Sequence, residues 1–244
     1  MQQLGQTRSS YQRDHSLLTP DTFVRAALPG MRNATAIVHA APAAGAKFCA
    51  YTAEFEAGGW LGAPAGERFV FVLDGEVTVG TSNKIYNLTA NGYAFLPTGM
   101  RHQVHSAAAA RAVVIEKPFK TLKRVKPTQP VFGNERDIAP QPLMGDEALQ
   151  VRSMIPSDSN YDLAVNTMTF QPGATLPMVE IHVMEHGLMM LEGGGIYRLG
   201  DRWYPVTAGD FIWMAPYCPQ WFGALGKTPA RYLIYKDWNR HPIG

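Results

Sequence analysis

The hydrophobic pattern of this 244-residue chain consists of short runs of β-branched and aromatic residues separated by Gly, Pro and Asn. Before residue 118 the runs lie at 35–39, 47–55, 69–73, 77–79, 84–88, 93–96 and 111–116, and after residue 150 they lie at 161–170, 195–199, 203–206, 211–214 and 230–235. Strands at such short intervals are typical of a sandwich or a barrel. The pattern therefore predicts an all-β fold.

Two segments lack this pattern. Residues 1–34 are expected to form an irregular lead-in, and residues 118–150 hold several prolines and a basic cluster of Lys120, Lys123, Arg124 and Lys126. Such a segment is typical of a linker. Its basic cluster either contacts an acidic partner or belongs to a solvated connection. The predicted division is a lead-in at 1–34, a first module at 35–117, a linker at 118–150 and a second module at 151–244.

The two modules repeat each other. Residues 71–75 (Phe-Val-Leu-Asp-Gly) correspond to 189–193 (Met-Met-Leu-Glu-Gly), and the run 86–96 corresponds to 204–214. Each repeat has about 100 residues, an ordinary size for one domain. The sequence thus predicts two related β modules in tandem.

Composition and charge narrow the function classes. The chain is 46% hydrophobic and 17% charged, and its 22 basic and 20 acidic residues are dispersed, so nucleic acid is not an expected partner. No apolar run approaches a membrane span, and the first ten residues are polar. These features favour a soluble, cytoplasmic protein without a membrane partner. Its two cysteines, Cys49 and Cys218, are then expected to be reduced.

The candidate chemistry lies in the stretch 178–195. Glu180 and His182 are two residues apart and His186 follows four later, so in an extended strand all three side chains share one face. Their neighbours are apolar, and a metal ion would compensate for burying polar groups there. The alternative interpretation is that two core histidines and a carboxylate at the rim happen to alternate.

The repeat assigns this chemistry to the second module. Aligning Gly75 with Gly193 places Gly62 opposite Glu180, Pro64 opposite His182 and Arg68 opposite His186. The first module therefore lacks these ligands, and its His102 and His105 are interpreted as structural or interfacial. Gln220 lies opposite His102 and becomes the fourth candidate ligand, through an amide oxygen.

These residues carry a family resemblance. The pattern Glu180-x-His182-x-x-x-His186, followed by Gly193, resembles the first cupin motif, with a Glu in place of its first His and a His in place of its Glu. Gly209-Asp210, with Gln220 where the second motif has His, resembles the other. Together with Tyr235-Lys236-Asp237, the two-module form is similar to the (S)-ureidoglycine aminohydrolase family along most of the chain.

The resemblance implies a bicupin, with two tandem cupin barrels of the double-stranded β-helix (jelly-roll) type. It also implies one Mn²⁺ per chain in the C-terminal cupin and hydrolysis of the small-molecule ureido substrate (S)-ureidoglycine to (S)-ureidoglycolate and ammonia, in allantoin and purine catabolism, by a homo-oligomer. The implied metal ligands are Glu180, His182, His186 and Gln220. The implied catalytic residues are Lys236 and Glu180, and the implied substrate-binding residues are Tyr197, Tyr232, Lys236, Glu180 and Gln220.

Donor chemistry alone leaves alternatives open. Carboxylate and amide oxygens favour hard ions such as manganese, but the general affinity order favours nickel, copper or zinc. A metal-dependent dioxygenase or decarboxylase would normally use three histidines and a Glu. Besides the aminohydrolase and these other metal-dependent enzymes, a third possible class of function is a cupin that binds a small molecule without catalysis. Without the resemblance, Lys236 would be interpreted as a surface lysine at a strand end, and Tyr197 and Tyr232 as core aromatics.

Overall fold

The computed structural model describes residues 6–64, 66–123, 125 and 128–241. Residues 1–5 of the predicted lead-in, residues 124, 126 and 127 of the predicted linker and residues 242–244 lie outside the described residues, so the prediction for Arg124 and Lys126 does too. The described chain is β apart from three 3-10 helices, Pro20–Thr22, Pro42–Ala44 and Glu135–Asp137. None of the helices in the described part could cross a membrane.

The strands are short, as the pattern predicts. In the first half they are β1 (Ser10–Tyr11), β2 (His15–Leu18), β3 (Arg25–Ala26), β4 (Arg32–Ala40), β5 (Cys49–Trp60), β6 (Glu67–Asp74), β7 (Glu76–Thr81), β8 (Ile85–Thr89), β9 (Gly92–Leu96), β10 (His102–Ser106) and β11 (Ala110–Lys117). In the second half they are β12 (Val131–Asn134), β13 (Gln141–Leu143), β14 (Asp146–Ser153), β15 (Leu163–Phe170), β16 (Glu180–Ile181), β17 (His186–Glu192), β18 (Gly194–Leu199), β19 (Arg202–Thr207), β20 (Phe211–Met214), β21 (Pro219–Ala224) and β22 (Ala230–Asp237).

One compact unit, the N-terminal barrel, comprises Val24–Ala139 and Met154–Asp162. Its strands follow the order β12-β9-β6-β11-β5-β10-β7-β8, with β3 and β4 added beside β5. The long strand β5 pairs with β11 over its first half and with β10 at Gly59 and Trp60, so it passes from one layer to the other. Buried Val, Ala, Leu and Phe side chains from both layers form one core.

The second unit, the C-terminal barrel, comprises the described residues up to Phe23, Pro140–Ser153 and those from Leu163 onwards. One sheet has the order β1-β2-β20-β17-β22-β15-β14-β13, and the other has the order β16-β21-β18-β19. The core lies between these sheets and takes residues from both, including Leu188 and Ile234 from the first and Tyr197 and Phe222 from the second. The prediction of an all-β chain is confirmed.

The repeated glycines occupy the same kind of turn. Gly75 and Gly193 have φ values of 74° and 64°, and an added Cβ would come within 2.7 Å of the Ala109 carbonyl oxygen and 2.4 Å of the Pro229 carbonyl oxygen, respectively. Only glycine suits that conformation and space. This explains why a glycine recurs at the point on which the two repeats align.

The described parts of the predicted lead-in and linker contain regular strands. From the predicted lead-in, β2 pairs with β20 over the whole of β2. From the predicted linker, β12 pairs with β9, and β14 pairs with both β13 and β15. Short polar strands of this kind carry little hydrophobic periodicity, and their pairing partners are distant in the sequence.

Candidate metal centre

Glu180 and His186 come from different sheets of the C-terminal barrel, and His182 lies in the segment between them. Glu180 lies in β16, next to β21, whereas His186 begins β17 in the larger sheet. The prediction of one extended strand through Glu180, His182 and His186 is wrong, because residues 182–185 leave the strand and cross between the sheets. The side chains nevertheless approach. Nε2 of His182 is 3.0 Å from Oε2 of Glu180, and the rings of His182 and His186 have centroids 5.2 Å apart.

Gln220 reaches the same place from β21. It is the register partner of Glu180, so both side chains project from the same face of their sheet. The Gln220 side chain is buried, and the Tyr197 hydroxyl donates a hydrogen bond to its Oε1 at 3.1 Å. That bond identifies Oε1 as the acceptor and fixes its direction, while the oxygen keeps a second lone pair.

His186 is buried in an apolar setting. Burial lowers the pKa of its imidazole to about 3, with further contributions from Lys236 and His182, while a bond to the Met184 backbone opposes the shift. A neutral imidazole with one ring nitrogen engaged by a backbone group is the form in which histidine binds metals.

Lys236 lies beside this histidine. It is the register partner of His186 on the adjacent strand β22, so the two side chains share a face of the larger sheet. Burial lowers the pKa of the Lys236 ammonium, and the nearby Glu180 carboxylate partly offsets the effect. The lysine is half-buried, with its Nζ 5.9 Å from the centroid of the Trp238 ring.

The two tyrosines differ in their surroundings. Tyr197 is buried with its hydroxyl on Gln220, and burial raises its pKa well above the usual range, reinforced by Glu180. Tyr232 is also buried, and its hydroxyl lies 3.4 Å from the sulfur of Met168 among the rings of Phe170 and Phe222. Tyr197 thus contacts a candidate ligand directly, whereas Tyr232 packs in the apolar layer beside it.

The donor set suits a hard or borderline divalent cation. It offers one carboxylate, two imidazoles and one amide oxygen, with Gln220 oriented by Tyr197 and His186 bonded to the Met184 backbone. Among the described residues, Asp14, His15 and Cys218 have donor atoms that all lie within 4.8 Å of one another. The His and Glu side chains of the Glu180 set do not meet this criterion. Closure of the four candidate ligands around an ion therefore requires a side-chain adjustment.

Sequence reasoning missed several supporting residues. Buried Glu185 accepts a 2.7 Å hydrogen bond from Nε1 of Trp213, and the Tyr217 backbone N–H donates to the His182 carbonyl. Tyr217 has φ 66°. No hydrophobic period marks such contacts. Asp14 and His15 could have been noticed only by treating the lead-in as part of the barrel.

The matching place in the N-terminal barrel holds an ion pair. Arg68, which aligns with His186, bonds to Glu116 through Nε at 2.7 Å and to the Gly62 carbonyl through Nη2 at 2.7 Å. His102 lies 3.4 Å from Nη1 of Arg68, and the Tyr51 hydroxyl donates to Glu116 at 3.0 Å. His105 stacks on Trp60 with ring centroids 4.6 Å apart.

Known proteins share this architecture and much of this sequence. The cupin domain family matches residues 166–235, which include the candidate ligands. An (S)-ureidoglycine aminohydrolase from Arabidopsis thaliana is 43% identical over 98% of this chain and 80% of its own length, and one from Escherichia coli is 30% identical over 92% and 88%. The chain belongs to the (S)-ureidoglycine aminohydrolase family.

A solved structure shares this fold. A crystal structure of a Pseudomonas aeruginosa protein has a TM-score of 0.89 to this chain at 31% identity, and the similarity covers 99% of this chain and 94% of that one. The predicted bicupin fold is therefore confirmed for this member of the (S)-ureidoglycine aminohydrolase family.

Proposed function

We propose that this protein hydrolyses (S)-ureidoglycine to (S)-ureidoglycolate and ammonia, using one Mn²⁺ per chain held by Glu180, His182, His186 and Gln220. The observation that carries the proposal is the convergence of these four side chains with Lys236 in one barrel, in a chain whose relatives bear the name of this activity. A role in allantoin and purine catabolism and a homo-oligomeric state follow from the same resemblance, and a cytoplasmic location follows from the sequence pattern. All three stay predictions.

Four donors suit a catalytic rather than a closed structural site. Glu180, His182, His186 and Gln220 would hold the ion with four donors and leave room for substrate or water, and the bound ion would supply positive charge that polarises the substrate. Glu180 would also contact the substrate from its place beside His182. The protein's own contribution is to hold these donors and to exclude water around them, as the buried Gln220 and His186 do.

Lys236 is proposed to carry the proton transfers. The reacting carbon bears an amine, a ureido group and a carboxylate. The amine must gain a proton to leave as ammonia, and the water that adds afterwards must lose one. A lysine with a lowered pKa next to the donors can give the first proton and accept the second, so the enzyme ends in its starting state.

The tyrosines are proposed to bind and orient the substrate. Tyr197 would act at the donor set, because its hydroxyl already lies on Gln220. Tyr232 would form the wall of the pocket next to Lys236. It is the register partner of Met190 and lies four residues before Lys236 on β22. Side chains alternate between the two faces of a strand, so Tyr232 and Lys236 lie on the same side of the sheet.

The test is ammonia release from freshly generated (S)-ureidoglycine. Protein stripped of metal should release ammonia no faster than the spontaneous reaction, and resupply of Mn²⁺ should restore fast release with (S)-ureidoglycolate as the product. Magnesium and zinc at equal concentration serve as controls for the metal. Release at the spontaneous rate by the Mn²⁺-loaded protein would sink the proposal.

A further inference from the structure

A second group of ligand-type side chains lies in the C-terminal barrel. Asp14 and His15 at the start of β2 meet Cys218, from the turn before β21, with one donor atom of each within 4.8 Å of the others. His15 and Cys218 are buried, and the Asp14 carboxylate is half-exposed. Three donors of different chemistry thus converge from two distant parts of the sequence.

The imidazole of His15 is held as a metal-binding histidine is held. Its Nε2 lies 2.9 Å from the Tyr204 hydroxyl, and its Nδ1 faces Asp14 Oδ1 at 2.9 Å. Metal-bound histidines usually donate the outer ring N–H to a fixed polar partner, which directs the other nitrogen at the ion. Tyr204 is that partner here, so Nδ1 can turn its lone pair toward a cation between Asp14 and Cys218.

Asp14 and His15 of this group can be reached from solvent. A surface cavity of about 500 Å³ is lined by Asp14, His15, Gly200 and Pro219 among others. A Cβ on Gly200 would lie 3.4 Å from Asp14 Oδ2 and 3.7 Å from the His15 ring, so the glycine leaves the approach open. Arg13, Arg198 and Arg202 also line this cavity, so a cation must be held by direct ligands rather than by the field of its walls.

We propose that Asp14, His15 and Cys218 bind a second divalent cation of the zinc class, separate from the Glu180 centre. A thiolate, an imidazole and a carboxylate with one open position for water form an ordinary tetrahedral zinc set. The sulfur ligand gives this site a different metal preference from that of the oxygen-rich set of Glu180, His182, His186 and Gln220. Binding displaces one proton from the Cys218 thiol and joins the N-terminal strand to the turn that precedes Gln220.

Cobalt substitution tests the proposal without relying on activity. The reduced full-length protein is titrated with Co²⁺, and the near-ultraviolet absorption of a thiolate–Co²⁺ bond is recorded. The Glu180 set contains no sulfur and is silent in this band. At saturation the wild type should show the band of one thiolate-bound Co²⁺ per chain, and Zn²⁺ should erase it.

The chain has two cysteines, which provides a matched control. Cys49→Ser should keep the band, which assigns the sulfur to Cys218, while Cys218→Ser should lose it. Asp14→Asn and His15→Gln should each raise the Co²⁺ concentration at half-saturation at least about tenfold. A wild type without the band, or a Cys49→Ser protein that loses it, would overturn the proposal even if Cys218→Ser failed to fold.

Discussion

The two barrels carry different side chains at the strand position of His186 and Arg68. In the C-terminal barrel, His186 pairs in register with Lys236 on one side and Met214 on the other, while in the N-terminal barrel Arg68 pairs with Glu116 and Leu96. The strand positions correspond, but the charges differ. One interior carries the proposed metal ligands, and the other contains the guanidinium cation of Arg68.

This difference explains how the N-terminal barrel keeps a charged group in its interior. A buried charge is tolerated when it is paired and its hydrogen bonds are satisfied. Arg68 meets that condition through Glu116, the Gly62 carbonyl and His102. The position that corresponds to His186 therefore holds a self-contained ion pair with its hydrogen bonds satisfied.

The largest expected effect lies in the barrel with the donors. Lys236→Met should lower kcat by about 10²- to 10⁴-fold, because the proton transfers lose their carrier. Manganese content, measured by atomic absorption, should stay at one per chain since Lys236 is not a proposed ligand. Lys227→Met, an exposed lysine of the same barrel, is the matched control and should keep full activity. Turnover that survives in Lys236→Met would remove the lysine from the mechanism.

The next effect is on the stability of the N-terminal barrel. Arg68→Met should cost about 3–5 kcal/mol, because it leaves Glu116 buried without its cation. Adding Glu116→Leu should restore most of that loss, since two apolar side chains can replace a buried ion pair. Urea denaturation of the single and double variants measures both values.

The control for this pair is an exposed one in the same barrel. Arg111 and Asp74 form an ion pair in which both side chains are about half-exposed. Arg111→Met should therefore cost at most about 1 kcal/mol. If Arg68→Met cost no more than Arg111→Met, the interior ion pair would not stabilise the N-terminal barrel more than an exposed pair does.

Sequence reasoning predicted the repeat, the all-β fold and a donor set that the structure brings into one barrel. It did not predict that residues 182–185 cross between two sheets. An alternation of side chains with a period of two is the same whether the residues lie in one strand or in two successive strands. Nor did sequence reasoning predict that Arg68 pairs with Glu116, 48 residues away. Such partners depend on the pairing of distant strands, which no local pattern specifies.

Gly62 of the N-terminal barrel aligns with Glu180 but has no room for a side chain. An added Cβ would lie 2.2 Å from the Pro29 carbonyl oxygen and 3.2 Å from the Gly30 Cα. Gly62→Ala should therefore destabilise the protein by up to about 3 kcal/mol through overpacking. Gly80→Ala, at a strand glycine with nothing within 4 Å of its added Cβ, should be close to neutral in the same thermal-unfolding assay. Equal effects would show that the backbone at Gly62 relaxes easily.

The smallest effect concerns the pH dependence of stability in the N-terminal barrel. His39 is buried in the N-terminal barrel with its Nε2 2.8 Å from the Thr52 hydroxyl, and burial lowers the pKa of its imidazole to about 3 from 6.5. As the pH falls below 6.5 the unfolded chain binds a proton at this histidine and the folded chain does not, so stability present above pH 6.5 is lost progressively toward pH 3. His39→Gln removes that proton uptake. The loss of unfolding free energy between pH 7.5 and pH 5 should then be smaller than in the wild type by about 2 kcal/mol. Denaturation curves at the two pH values measure the difference, and an unchanged loss would mean that His39 is accessible to protons in the folded barrel.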